Sequence, residues 1–235
     1  MPAAEHLPLE ILFVDPWLVA VNKPAGLVVQ PSYRNTSGTL LNGILAHRFL
    51  TATPGVVTRL DKNTSGVVLV ALTSQVHRAV QEDATSGKVI KEYLAVVRGQ
   101  PSPSHGTIDL ALARDSVDRR RVVVAADGAP SRTEYEVIAW DTAFSAVRCR
   151  LLTGRTHQIR VHLGALGWPI AGDPAYGCEH AMLSRQALHA WRLALPHPLT
   201  RHPLAIEAPL PADLIAAFPA LIEQVKASAS MDDCP

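Results

Sequence analysis

Cysteine is scarce in this 235-residue chain, and what there is does not cluster. Cys149, Cys178 and Cys234 are far apart and form no C-x-x-C pair, which excludes a zinc ribbon and a dithiol motif. A sparse, odd count fits a reducing cytosol better than a disulfide-stapled domain, so a cytoplasmic location is expected. No apolar run approaches the roughly 20 residues that span a bilayer, and no membrane role is expected. Residues 1–8 (Met1-Pro2-Ala3-Ala4-Glu5-His6-Leu7-Pro8) lack the basic-then-apolar layout of a signal peptide and read as a short extension. Neither G-x-x-x-x-G-K-[ST] nor a convincing G-x-G-x-x-G occurs, so phosphate-loop and dinucleotide chemistry find no support. Internal repeats and low-complexity linkers are missing too. Strong net charge is also lacking: 22 Lys plus Arg against 21 Asp plus Glu leave +1. A near-neutral total does not announce a nucleic-acid binder, but it can hide a basic groove.

The composition that remains, 48% hydrophobic and 18% charged, is that of a globular protein able to bury a real core. Leu9 to Val14 and Leu18 to Val21 read as strands joined at Asp15-Pro16-Trp17. Thr36-Ser37-Gly38 offers a cap for a helix with Leu40, Leu41, Ile44 and Leu45 on one face. Gly66 to Leu72 is too short and too β-branched for a helix and reads as a buried strand. Thr73 caps the next helix, with Val76, Ala79 and Val80 inward and Gly87 as its stop. Further strands are expected over Glu92 to Arg98, Gly106 to Ala113, Thr133 to Trp140, Phe144 to Leu152, Ala187 to Leu195 and Leu204 to Ala208. Asp115 to Arg121 is a polar loop ending in Arg119-Arg120-Arg121, usually a solvated element, though one able to touch phosphates. Thr156 opens a short helix carrying Ile159, Leu163 and Leu166. Pro211 begins a last amphipathic helix, with Leu214, Ile215, Phe218, Leu221, Ile222 and Val225 as its apolar set, that Pro219 should bend. Residues 227–235 are small and polar and read as a disordered tail. Many strands in hairpin style with few helices argue for an α+β fold, a mostly antiparallel central sheet flanked by helices and loops, over residues 9–226.

One string stands out: Arg59-Leu60-Asp61-Lys62-Asn63-Thr64-Ser65-Gly66-Val67. It sets one carboxylate between two cations, in a turn-forming stretch, before an apolar run. That suits a catalytic acid, and it equally suits an ordinary loop into a strand. Local chemistry alone does not name a reaction. Four other stretches keep it company, in order: Val21-Asn22-Lys23-Pro24-Ala25-Gly26-Leu27; Lys91-Glu92-Tyr93-Leu94-Ala95; Thr153-Gly154-Arg155-Thr156-His157-Gln158-Ile159-Arg160-Val161-His162-Leu163; and Gly172-Asp173-Pro174-Ala175-Tyr176-Gly177, followed by Leu188-His189-Ala190. Together these resemble the sequence blocks of the RluA-type pseudouridine synthases, from about residue 10 to about residue 210.

The resemblance implies the α+β catalytic domain of that family and an isomerisation of uridine in RNA. Redox steps, metal and cofactor are not expected. It makes Asp61 the catalytic aspartate, Tyr93 the active-site tyrosine against which a flipped uracil stacks, and Arg160 the cation that pairs with the acid. Arg59 would fill the space the target nucleotide leaves. Arg155, His157 and Gln158 are supporting candidates, for backbone phosphates or for hydrogen bonds behind the site. The expected partner is a structured RNA, a ribosomal or transfer RNA stem-loop and not DNA, met by a monomer without the S4-type front module of some relatives. Thr58 departs from the family pattern, which has His there. Two rival readings remain: a non-catalytic RNA-binding protein on the same fold, and a small hydrolase using Asp61 with a histidine. His157 and His162 are five apart with no H-E-x-x-H, so a zinc pair is not expected.

Overall fold

The computed structural model describes residues 2–33, 35–47 and 54–232. The chain divides into two compact units, one of residues 1–91 with 190–209, the other of 92–189 with 210–235.

In the first unit, β1 (Glu10–Val14) and β2 (Leu18–Lys23) form an antiparallel hairpin. Its turn closes because Asp15 Oδ1 accepts the amides of Trp17 and Leu18, at 2.8 and 2.7 Å. Next comes α1 (Leu40–Leu45), capped by Thr39 in a reciprocal box with Asn42, a little later than the Thr36–Gly38 start expected from sequence. The short β3 (Gly55–Val56) and β2 both pair antiparallel with β4 (Ser65–Ala71). All seven residues of β4 are buried, because it has a core on each face. Val67, Leu69 and Ala71 pack with Val76 and Val80 of α2 (Ser74–Thr85), while Val68 and Val70 pack with Leu40 and Ile44 of α1. A strand covered on both sides reads as an unbroken apolar run, as it does here. The expected cap Thr73 accepts from Val76 N, and Gly87 has φ +74° just past the helix. The first residues are docked, not loose. Glu5 N donates to Asn42 O, Asn42 Nδ2 donates to Ala3 O, and Leu7 and Leu9 pack over Gly43.

In the second unit, β5 (Ile90–Arg98, from residue 92 on) begins an antiparallel sheet of order β5-β10-β9-β6, with β6 at His105–Asp109, β9 at Arg132–Trp140 and β10 at Phe144–Leu151. Its register sets Tyr93, Cys149, Tyr135 and Gly106 in one row. The stretch expected as one strand over Gly106 to Ala113 is two. β6 leaves the sheet after Asp109, and β7 (Leu112–Arg114) pairs instead with β8 (Val122–Val124) in a separate hairpin. Helix α3 (Gln158–Ala165) is buried over Gln158 to Leu163, with Ile159 and Leu163 inside as expected. Leu166 falls past its end and is exposed, and the helix starts two residues after Thr156 because His157 takes a left-handed backbone at φ 55°.

The chain then returns to the first unit. β11 (Leu188–Pro196) runs beside β4 and pairs antiparallel with β12 (Pro203–Glu207). Arg201 in the connecting turn makes a bidentate pair with Asp83 of α2 at 2.7 and 3.0 Å. Back in the second unit, the final helix is broken where a bend was expected. α4 (Ala212–Ala217) stops at Phe218, whose φ −137°, ψ 54° lie outside the helical region, as Pro219 demands of its predecessor. α5 (Pro219–Asp232) then packs Leu221, Ile222 and Val225 inward and continues into the stretch expected as a tail, while residues 233–235 lie outside those described. The α+β class and the predominance of antiparallel pairing match the sequence reading. Among the described residues, no helix is long and apolar enough to cross a membrane.

Gly66 is required where it stands. Its φ is +114°, and a Cβ there would lie 2.1 Å from the Ala190 carbonyl oxygen. Gly66→Ala is expected to destabilise the protein by at least about 3 kcal/mol, from backbone strain plus the clash, seen as a large fall in the thermal midpoint. A midpoint within a degree or two of wild type would contradict this packing.

Candidate active site

In the first unit, Asp61 opens a turn that leads directly into β4. Its carbonyl accepts the Thr64 amide at 3.1 Å, and its side chain is half-buried. The turn is held by a residue to which the sequence reading gave no role. Lys23 is fully buried at the end of β2, and its ammonium donates to the carbonyls of Pro24, Leu27 and Lys62, at 2.9, 2.8 and 2.9 Å. Gly26 N also donates to Lys62 O at 2.9 Å. An ammonium has three N–H groups, and three carbonyls oriented on one buried nitrogen join the Val21–Leu27 block to the residue that follows Asp61. A lysine closing a strand whose first four residues are apolar, just before Pro, was the available signal. Arg59 is exposed, two residues before Asp61.

Thr58, the departure from the family pattern, is 7% exposed and has a structural task. Its Oγ1 accepts the Leu69 amide at 2.8 Å, and the amides of Val57 and Thr58 both donate to Leu69 O. The hydroxyl therefore replaces a backbone acceptor on β4 where the approaching chain is irregular. Thr58→Val, nearly isosteric, leaves that amide unsatisfied. It should cost about 1–3 kcal/mol in urea unfolding and speed hydrogen exchange at the Leu69 amide.

In the second unit, Tyr93 is buried on β5 opposite Cys149, whose thiol burial pushes up to about 12. Arg160 lies on α3 and is 7% exposed. Its Nε and Nη2 donate to Asp173 Oδ2 and Oδ1 at 2.7 and 2.8 Å, a side-by-side ion pair whose carboxylate is fully enclosed. Asp173 Oδ1 also accepts the amides of Ala175 and Tyr176, at 2.9 and 3.3 Å. The Tyr176 ring carries two cations, with the Arg160 guanidinium carbon 4.9 Å and that of Arg121 5.1 Å from its centroid. Its hydroxyl accepts the Val122 amide at 2.7 Å and bonds His157 Nδ1 at 2.8 Å. The block around Asp173 can fold this way because two glycines admit close backbone. A Cβ on Gly172 would lie 2.3 Å from Arg185 O, and one on Gly177 would lie 2.0 Å from Ile170 O.

Asp173 and Tyr176 were thus legible only as members of a block. Glycine and proline on either side of the acid signal a turn, and the Arg160 partner appears only in the fold. Gln158 is held by four hydrogen bonds within the unit. It is buried, its Oε1 accepts from Thr153 Oγ1 and Arg155 N, and its Nε2 donates to Arg132 O and Thr133 Oγ1. Arg155 is exposed, with one long bond to Pro130 O. His157 is the left-handed residue before α3, turned to Tyr176, while His162 is fully buried between Thr133 Oγ1 and Leu110 O. Among the described residues, no group of three or more His, Cys, Asp or Glu is arranged to hold a metal.

The family model for RNA pseudouridylate synthase matches residues 17–165, which include Asp61, Tyr93 and Arg160. The chain belongs to the RNA pseudouridylate synthase family. It is of the RluA type, an isomerase acting on uridine in RNA. A ribosomal large subunit pseudouridine synthase D of Nitrosomonas europaea is 43% identical over 230 residues, covering 93% of this chain and 67% of that protein. An uncharacterized RNA pseudouridine synthase of Bacillus subtilis is 41% identical over 218 residues, covering 90% of this chain and 72% of that one. Among solved structures, the human RNA pseudouridylate synthase domain containing 1 superimposes with TM-score 0.71 at 27% identity, covering 98% of each chain.

Within this synthase, the Asp173 carboxyl is pulled two ways. Burial pushes its pKa up, but the Arg160 guanidinium and the two backbone amides outweigh that, and the net shift is down. A depressed folded-state pKa contributes stability that is fully present above the unfolded value of about 3.9 and is lost as pH falls through the folded value. Asp173→Asn should therefore cost roughly 3 kcal/mol or more at pH 7, by leaving Arg160 short of a partner, and the gap to wild type should narrow below about pH 4. Urea unfolding across that range measures it. A gap independent of pH would show that the charge pair is not its source.

Proposed function

We propose that this synthase converts specific uridines of ribosomal RNA to pseudouridine, with Asp61 as the catalytic carboxylate and the target base flipped out of its stack. The reaction breaks the C1′–N1 bond, turns the uracil, forms C1′–C5, removes the C5 proton and leaves a proton on N1, so the product is an isomer of the substrate and no co-reactant is needed. A carboxylate is the group this chemistry needs, whether it attacks C1′, adds to C6 or takes the C2′ proton. The observation that carries the reading is the Asp61 turn itself. The family signature lies at the mouth of a rigid buried strand, its following residue fixed by the Lys23 ammonium and its Gly66 by close packing.

The roles of the other residues follow the family blocks. Tyr93 offers a flat ring for the uracil and a phenol near C5. Arg160, held by Asp173, is the cation that the family blocks assign as the partner of the catalytic acid. Arg59 and Arg155, both exposed, meet the RNA, with Arg59 entering the space the flipped nucleotide vacates. Ribosomal RNA is favoured over transfer RNA because the Nitrosomonas europaea relative carries a ribosomal name. The enzyme would work as a monomer in the cytoplasm on a structured stem-loop.

Asp61→Asn should abolish product, by on the order of 10⁴-fold or more in rate, while leaving RNA affinity within a few-fold of wild type. The measurement is pseudouridine formation in ribosomal RNA taken from cells lacking the gene. Wild-type turnover in that variant would remove Asp61 from the mechanism.

A further inference from the structure

The chain has only four tyrosines. Tyr93 and Tyr135 are buried, and Tyr176 is half-buried with its hydroxyl bonded to the Val122 amide. Tyr33 is 98% exposed. A ring wholly in water has both faces open to a partner from outside the chain.

The backbone beneath that ring is braced. Ser32 N donates to Asn35 O and Asn35 N to Ser32 O, at 2.8 and 3.0 Å, a pair of bonds that brackets Tyr33. Both legs of the excursion are pinned to the first unit. Gly26 N is bonded to Lys62 O beside Asp61, Val28 bridges Thr39, and Leu40 N and Leu41 N donate to Val28 O and Val29 O. Seven residues from Gly26 to Tyr33 reach at most about 25 Å, so the ring is within a few nucleotides of the Asp61 turn.

We propose that Tyr33 is a stacking platform for an unpaired base of the substrate RNA, within a few nucleotides of the one that reacts and distinct from it. Unpaired bases in loops are what proteins read in RNA, and they stack on aromatic side chains with little regard to sequence. The inference rests on RNA being the substrate and not on the role of Asp61. It adds a contact that Tyr93, buried on β5, does not make.

The test compares the full chain with Tyr33→Ala, Tyr33→Leu, Tyr33→Phe and Tyr33→Trp. The probe is a fluorescein-labelled single-stranded RNA of about twelve nucleotides, with a duplex of the same length as control. Loss of one stacked base corresponds to roughly 5- to 150-fold in affinity. The Ala and Leu variants should lose that much on the single strand and little on the duplex, while Phe and Trp stay near wild type. On ribosomal RNA from cells lacking the gene, the Ala variant should raise KM and leave kcat in place. Wild-type affinity in the Ala variant would overturn the proposal. So would full retention by Leu, which has bulk but no ring face, or a loss in Phe equal to that in Ala, which would point to the hydroxyl. A wild-type chain that binds the oligomer yet makes no pseudouridine would count against the Asp61 reading, and the same affinities would still decide Tyr33.

Discussion

A buried ammonium organises the first unit around its acid. Lys23 has no exposed surface, and burying an unsatisfied cation would cost several kcal/mol. The carbonyls of Pro24, Leu27 and Lys62 meet it instead, and each is thereby fixed in direction. Two loops from distant parts of the sequence are locked to a single nitrogen. The turn bearing Asp61 inherits that rigidity, and the role proposed for its carboxylate would draw on it, because geometry held in advance does not have to be ordered when substrate arrives. Methionine would fit the same volume and leave three acceptors facing apolar side chains.

The second unit solves a similar problem with a guanidinium. Arg160 is gripped on one edge by Asp173 and shielded on a face by Tyr176, whose ring also faces Arg121. The Arg119-Arg120-Arg121 run is therefore not three equivalent phosphate contacts. Arg121 Nη2 donates to Ala175 O, and Arg120 pairs with Asp118 at 2.8 Å. The polar loop of that hairpin is tied at its base to the same tyrosine that covers Arg160, so its order and that of the arginine are physically linked.

Much of this architecture is legible in the order of the residues alone. The β1–β2 hairpin, the buried β4, the Thr73 cap and the β9–β10 pair follow from alternation, turn residues and capping chemistry. The misreadings have local causes. Periodicity gives no warning that β6 and β7 part at Leu110, because both halves alternate well and the parting is decided by which neighbour each half pairs with. Pro219 is plain in the sequence, but its effect on Phe218 turns a bend into a break. At the site, the family blocks name Asp61, Tyr93 and Arg160. Lys23, Asp173 and Tyr176 acquire meaning only when the carbonyls, guanidinium and ring they meet are in place, and those come from elsewhere in the chain.

The path of the chain has a consequence for how the molecule is made. The core around Leu18, Leu69 and Val80 is completed by Leu193, Leu195 and Ile206, which arrive after the whole of the intervening segment has been synthesised. An amino-terminal unit usually folds early on the ribosome. Here Leu18, Leu69 and Val80 must wait, their apolar faces open, until Ile206 has emerged. The stretch most exposed to premature association during translation is then the same one that later carries the signature aspartate.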